Sequence, residues 1–170
     1  MIRSLSPADA LAFVDLRKQS FSTDPLSWDY EPGTPVDLET WAPRLVETDN
    51  EVVFGYFSED ASGEQQLTGV IGLLRFAKLK RSHRAMVWGV YVSPAARGQG
   101  AASLLLDAVI ARAKIMDGLD HLILSLSNHA TAAHRLYTSA GFVEWGRELR
   151  AARQGDIWMD EIHMRLDLQQ

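Results

Sequence analysis

Cysteine is absent from this 170-residue chain. Disulfides, zinc–thiolate sites and a cysteine nucleophile are therefore excluded. Long hydrophobic runs are also missing. None approaches the about 18 residues that cross a bilayer, and Met1-Ile2-Arg3-Ser4 carries no apolar signal region, so no membrane segment is expected and the cytoplasm is the expected location. Positive charge is in short supply, with 17 Lys and Arg against 22 Asp and Glu, a net charge of −5 and a pI near 5.5. That balance argues against nucleic-acid binding and suits an amine-bearing partner. The histidines (His83, His121, His129, His134 and His163) never fall into an H-E-x-x-H pattern. His129 and His134, five apart on an expected helix, do not share a face, so they read as surface residues and no metal is expected. What remains is ordinary, 46% hydrophobic and 23% charged residues without repeats, which points to one globular domain over residues 1–170.

Periodicity and punctuation lay out the elements. Ile2 to Leu5 reads as a strand, and Ser6-Pro7-Ala8-Asp9 opens a helix whose inner face holds Phe13, Leu16 and Ser20. Thr23 to Pro35 is a loop. Its Trp28, Asp29, Tyr30 and Glu31 form one candidate wall for a cationic substrate, since ring faces and carboxylates both attract cations; anchoring of the loop to the core is an equal reading. A second helix is expected over 37–48, with Pro43 forcing a kink or a boundary. Strands follow at Val52 to Ser58 and Gln66 to Leu79, joined by the turn Asp60-Ala61-Ser62-Gly63-Glu64. Ala85 to Val92 is the central strand, and Gly89 inside it marks a bulge or a close approach to the backbone. A helix from Ala101 to near Met116, a strand from His121 to Ser127, a short helix over 130–139 and two final strands complete the order β-α-α-β-β-β-α-β-α-β-β. This is an α/β (α+β) pattern, a mixed sheet with helices on both sides.

The most informative stretch runs from Val90-Tyr91-Val92 through Arg97-Gly98-Gln99-Gly100-Ala101-Ala102. A strand ends, the chain turns at two glycines, and a helix begins. The first N–H groups of a helix lack partners inside it and carry partial positive charge. Glycine at 98 and 100 lets an anion rest on them, so the stretch reads as a pyrophosphate cradle. Two other readings stand beside it: a plain strand-to-helix loop, and a dinucleotide fingerprint that misses only at Ser103. The Walker phosphate loop does not occur.

Forty residues on lies Ala132-Ala133-x-x-Leu136-Tyr137-x-x-x-Gly141-Phe142. The two motifs, with the element order, resemble the GNAT superfamily of N-acetyltransferases over nearly the whole chain. The resemblance implies a mostly antiparallel mixed sheet of about seven strands, splayed between the fourth and fifth, with about four helices on its two faces. It implies acetyl-CoA as co-substrate and an amine acceptor that receives the acetyl group directly. The pyrophosphate would sit on the amides of Arg97 to Ala102, and the pantetheine would run along Val90, Tyr91 and Val92. Tyr137 would protonate the leaving thiolate. In place of the family's frequent asparagine seven residues before the tyrosine stands Ala130; Asn128 either reaches the pantetheine or caps the helix. The family's frequent glutamate on the central strand has no counterpart between Ala85 and Val92. The base is then Asp29, Glu31, Asp160, Glu161, His163 or an ordered water, and alternation along a strand keeps Asp160 and Glu161 from both pointing into one pocket. A non-catalytic CoA-binding regulatory module on the same fold is the rival reading. A monomer or a homodimer paired through the last two strands fits either.

Overall fold

The computed structural model describes residues 1–60 and 62–168. Its strands are β1 (Ile2–Ser4), β2 (Glu51–Glu59), β3 (Gln65–Arg75), β4 (Arg84–Val92), β5 (His121–Ser127), β6 (Val143–Gln154) and β7 (Ile157–Asp167). They form one sheet in the order β1-β2-β3-β4-β5-β7-β6, antiparallel at every step except the parallel β4–β5 pair. The α-helices are α1 (Ala10–Thr23), α2 (Leu38–Trp41), α3 (Ala101–Lys114) and α4 (Thr131–Ser139). The mixed, mostly antiparallel seven-stranded sheet expected from the sequence is the one observed.

Two apolar layers cover the sheet, because period-2 strands present opposite faces to period-3.6 helices. Leu105, Leu106 and Val109 of α3 pack with Ile71, Val87, Leu122 and Met164 in one layer. Phe13, Val14 and Leu16 of α1 pack with Val53, Val70 and Tyr91 in the other.

Several boundaries differ from the sequence reading, each for a local reason. The helix expected over 37–48 stops at Trp41 and continues as a 3-10 turn, Ala42–Leu45, because Pro43 has no N–H to extend it. Its start is fixed by Asp37, whose carboxylate accepts the N–H groups of Glu39 and Thr40. Strand β3 ends at Arg75, four residues short of Leu79, where a 3-10 turn over Leu79–Arg81 takes over. Helix α3 ends at Lys114, and Gly118 supplies a left-handed turn beyond it. Strand β6 continues past Arg150 to Gln154, because an irregular ladder between Glu148 and Ala152, with Arg150 at φ 56°, absorbs the break.

The feature that creates a site is the separation of β4 from β5. The two pair only at Arg84–His121, Ala85–Leu122 and Met86–Ile123. Beyond those pairs they part, leaving the facing backbone edges of Val87–Val92 and Leu124–Ser127 without each other. Gly89, at φ 65°, lies in the open segment. Ala85 and Val87 face the α3 layer, yet so do Val90 and Val92, so one extra residue has entered β4 there. The pairing with β3 agrees, passing from Val70–Tyr91 to Gly72–Trp88. Gly89 is a β-bulge, as its place in the strand suggested.

Candidate active site

The open segment of β4 borders two adjoining cavities, each of about 550 Å³. The first lies between β4, the start of α3, and α4. Gly98 and Gly100 take φ 76° and 79°, values that side-chain-bearing residues avoid, and a Cβ at either would meet nothing within 4 Å. The surface over them is therefore open. Gly100 caps α3 without any side-chain bond. The N–H groups of Ala101, Ala102 and Ser103, at the first turn, have no partner within the helix, and all three residues border the cavity.

Most residues of the first motif meet there. Val90, Tyr91, Val92, Arg97, Gly98, Gly100, Ala101 and Ala102 all border this cavity. Gln99 does not; its amide donates to the Ala95 carbonyl at 3.2 Å and it faces solvent. The Arg97 guanidinium bonds the Val92 carbonyl at 3.0 Å and the Asp24 carboxylate at 2.6 Å, which fixes the turn to the end of α1. The Tyr91 side chain goes to the other face, where its hydroxyl lies 2.9 Å from that of Thr23. Only the main chain of Tyr91 is left to serve the cleft.

Tyr137 of α4 borders the same cavity, 5% exposed, with its ring 5.6 Å from that of Phe142. Burial pushes its hydroxyl above the ordinary phenol range, so it is protonated at neutral pH. Asn128 stands apart from this wall. Its side-chain oxygen accepts the Asp160 N–H at 2.9 Å, its own N–H donates to the Asp160 carbonyl at 3.0 Å, and α4 is preceded by Ala130, with no side chain capping it. Of the two roles expected for it, neither describes this engagement: Asn128 ties β7 to the end of β5.

The second cavity lies on the α1 side. Trp28, Asp29 and Tyr30 border it, whereas Glu31 does not. Asp160 and Glu161 both border it, which alternation allows, because a strand contributes main chain as well as side chains to a wall beside it. The Asp160 carboxylate is engaged, accepting the Arg150 N–H at 2.9 Å and lying 3.7 Å from the Arg147 guanidinium. Glu161 is half-buried, opposite Ser127 at the open end of β5. His163 lies off this wall and stacks on Trp145 at 5.3 Å. Glu148, Glu161 and His163 bring ligand-capable atoms within 4.8 Å of one another, a gathering that exposed carboxylates make without any ion.

Arg17, Trp41 and Trp88 also border this cavity, and the sequence does not single them out as site residues. Trp41 lies 5.0 Å from Phe13 and 5.5 Å from Trp88, ring to ring. Arg17 projects from the inner face of α1, four residues after Phe13. That spacing marks it as inward-facing, although a charged residue is not normally counted with a core stripe.

The chain is similar to known proteins in sequence and in fold. A stretch of 64 residues is 36% identical to the L-2,4-diaminobutyric acid acetyltransferase of Streptomyces avermitilis; it covers 38% of this chain and 36% of that enzyme's length. In fold the chain resembles an acetyltransferase of the GNAT family from Streptococcus pneumoniae, at a TM-score of 0.86 and 24% identity over 99% of both chains. It also resembles a phosphinothricin acetyltransferase from Sinorhizobium meliloti solved with acetyl-CoA, at a TM-score of 0.82 and 18% identity over 99% of this chain and 88% of the other. The family model for the acetyltransferase (GNAT) family matches residues 12–142, most of the length, and with it the cradle, the separated strands and Tyr137. The chain belongs to the GNAT acetyltransferase family.

Proposed function

We propose that the protein is an acetyl-CoA-dependent N-acetyltransferase that moves the acetyl group directly onto a primary amine. One observation carries the reading. The glycine-opened start of α3, the free edge of β4 and the buried Tyr137 all border one cavity, and a second cavity adjoins it at Gly89.

The residues fit the donor. Open space over Gly98 and Gly100 admits a pyrophosphate to the first N–H groups of α3. The main-chain groups of Val87–Val92 that face away from β3, which β5 does not pair, suit a pantetheine arm that hydrogen-bonds like an added strand. When bound, acetyl-CoA supplies an activated thioester. A main-chain N–H beside Val90 stabilises the charge that grows on the carbonyl oxygen, as fixed donors do in acyl transfer. Tyr137 gives its proton to the departing sulfur. Its raised proton affinity keeps that proton available through the neutral range. Glu161 takes the proton of the acceptor ammonium, since Asp160 is engaged by Arg150 and Arg147, and Asp29 is exposed on a loop.

The test begins with calorimetric titration of acetyl-CoA beside NAD, followed by thiol release with an amine panel. Binding of acetyl-CoA and not NAD is expected. Tyr137→Phe is expected to lower kcat about 100-fold while leaving acetyl-CoA affinity intact, and Glu161→Gln to lower kcat about 100-fold as well. Tight acetyl-CoA binding with no acetylated amine in any panel would favour the non-catalytic regulatory reading; binding of NAD alone would sink both.

A further inference from the structure

Arg17 is buried at 6% exposure, yet no hydrogen bond or ion pair among the described residues engages its guanidinium. Nη1 is wholly enclosed and without a partner. The side chain is held by ring faces instead, its central carbon 4.6 Å from the Trp28 ring and 5.1 Å from the Phe21 ring. A Cβ added to Gly89 would lie 3.5 Å from Nη1, so this charge sits against the bulge where the two cavities meet. The indole N–H groups of Trp28 and Trp88, which border the same cavity, are likewise buried without acceptors.

Burying a cation with no counter-charge is costly unless something compensates it. Ring quadrupoles return only part of that. Desolvation has lowered the Arg17 pKa to about 10, which still leaves it charged at neutral pH. The loop was expected to present ring faces and carboxylates to a cation. Instead the Phe21 and Trp28 rings lie under Arg17, and those of Trp41 and Trp88 lie under Arg44, at 4.4 and 5.7 Å. Arg44 already has Glu51 at 3.2 Å; Arg17 has no such partner. The cavity is thus bordered by one cationic residue without a counter-charge, Arg17 of α1, and by the acidic Glu161 of β7.

We infer that the acceptor is an amino acid, an amine that carries a carboxylate, with the carboxylate paired to the Arg17 guanidinium and the amine directed to Glu161 and the gap beside Gly89. This rests on the acetyltransferase reading above and names its substrate class. A planar, two-pronged guanidinium matches a carboxylate fork and would find in it the acceptor the fold does not supply. Arg17 is accordingly a specificity-determining residue; it takes no part in moving protons.

The test uses matched pairs that differ by the carboxylate alone: L-methionine with 3-(methylthio)propylamine, L-phenylalanine with phenethylamine, and L-2,4-diaminobutyrate with 1,3-diaminopropane. Acetylation is measured by thiol release, and binding by quenching of tryptophan fluorescence with CoA present. At least one acid is expected to exceed its decarboxylated partner about 100-fold in kcat/KM. Arg17→Met, which keeps the stem against the rings, is expected to remove that preference, lowering the acid about 100-fold while changing the amine less than threefold; Arg17→Lys should restore part of it. Unchanged acetyl-CoA affinity in both variants shows that they fold. Equal use of acids and amines by the native protein, or an equal loss of both in Arg17→Met, would overturn the inference. If acetyl-CoA does not bind, the transferase reading fails, while quenching by the acids, and its loss in Arg17→Met, still decides whether Arg17 receives a carboxylate.

Discussion

Gly72 shows how a single residue shapes the acceptor side. A Cβ at this position would lie 2.1 Å from Cε2 of Trp88 and 2.5 Å from its Nε1, so the indole lies flat on the strand only because no side chain is there. Gly72→Ala is expected to push Trp88 out of its seat and to cost about 1–3 kcal/mol of stability by overpacking, read as a lower Tm together with a changed tryptophan emission spectrum. Such a dependence was invisible in the sequence, because Gly72 and Trp88 meet across two strands whose register a bulge alters. Residues whose role is set by neighbouring backbone were legible: Gly98 and Gly100 stand out by spacing alone, and the space above both is open, as the reading required. Arg17 was passed over for the opposite reason. Its meaning comes from the partner it lacks, which only the assembled fold reveals.

At the scale of elements, the order of strands and helices followed from periodicity and punctuation, including the break at Pro43, and the strand end misjudged at Arg150 is where one local irregularity outweighed the pattern. The start of α1 supports a sharper expectation. Asp9 accepts the N–H and hydroxyl of Ser6 at 2.8 and 3.0 Å and pairs with both terminal nitrogens of Arg3, at 2.9 and 2.6 Å. The hydrogen bonds from Arg3, above all, hold its carboxyl down at about 2. A carboxylate whose folded pKa lies below its ordinary value of 3.8 contributes stability that is complete above that value and is lost as the pH falls towards 2. Thermal unfolding between pH 5 and 2 is therefore expected to show a declining Tm that Asp9→Asn flattens. The flattening will be partial, since Asp60 in the β2–β3 turn is also held at about 2, chiefly by the Ser62 hydroxyl. An identical slope in the variant would remove Asp9 from the account.

For the whole molecule, the sheet is two blocks, β1 to β4 and β5 to β7, joined by only the three residue pairs at the closed end of the gap. A ligand that hydrogen-bonds to the open edge of β4 and rests on α3 and α4 completes what the sheet leaves unfinished. Acetyl-CoA at 100 times its dissociation constant is expected to stabilise the fold by about 2.7 kcal/mol, a Tm rise of about 5–10 °C for a chain of this size, measurable by calorimetry. No rise at saturation would mean that the gap is not where it binds. The gap was foreshadowed by the family resemblance and by Gly89, but its joining to a second cavity was not, since that depends on where α1 and the Trp28 loop settle.

The joining has a further consequence. Ser27, Trp28, Trp88, Gly89, Ser125 and Leu126 border both cavities, so the two share a partition rather than standing side by side. A partition that shifts for one occupant is shifted for the other. Whatever factor the donor applies to the acceptor's dissociation constant, the acceptor must return to the donor's, whichever arrives first.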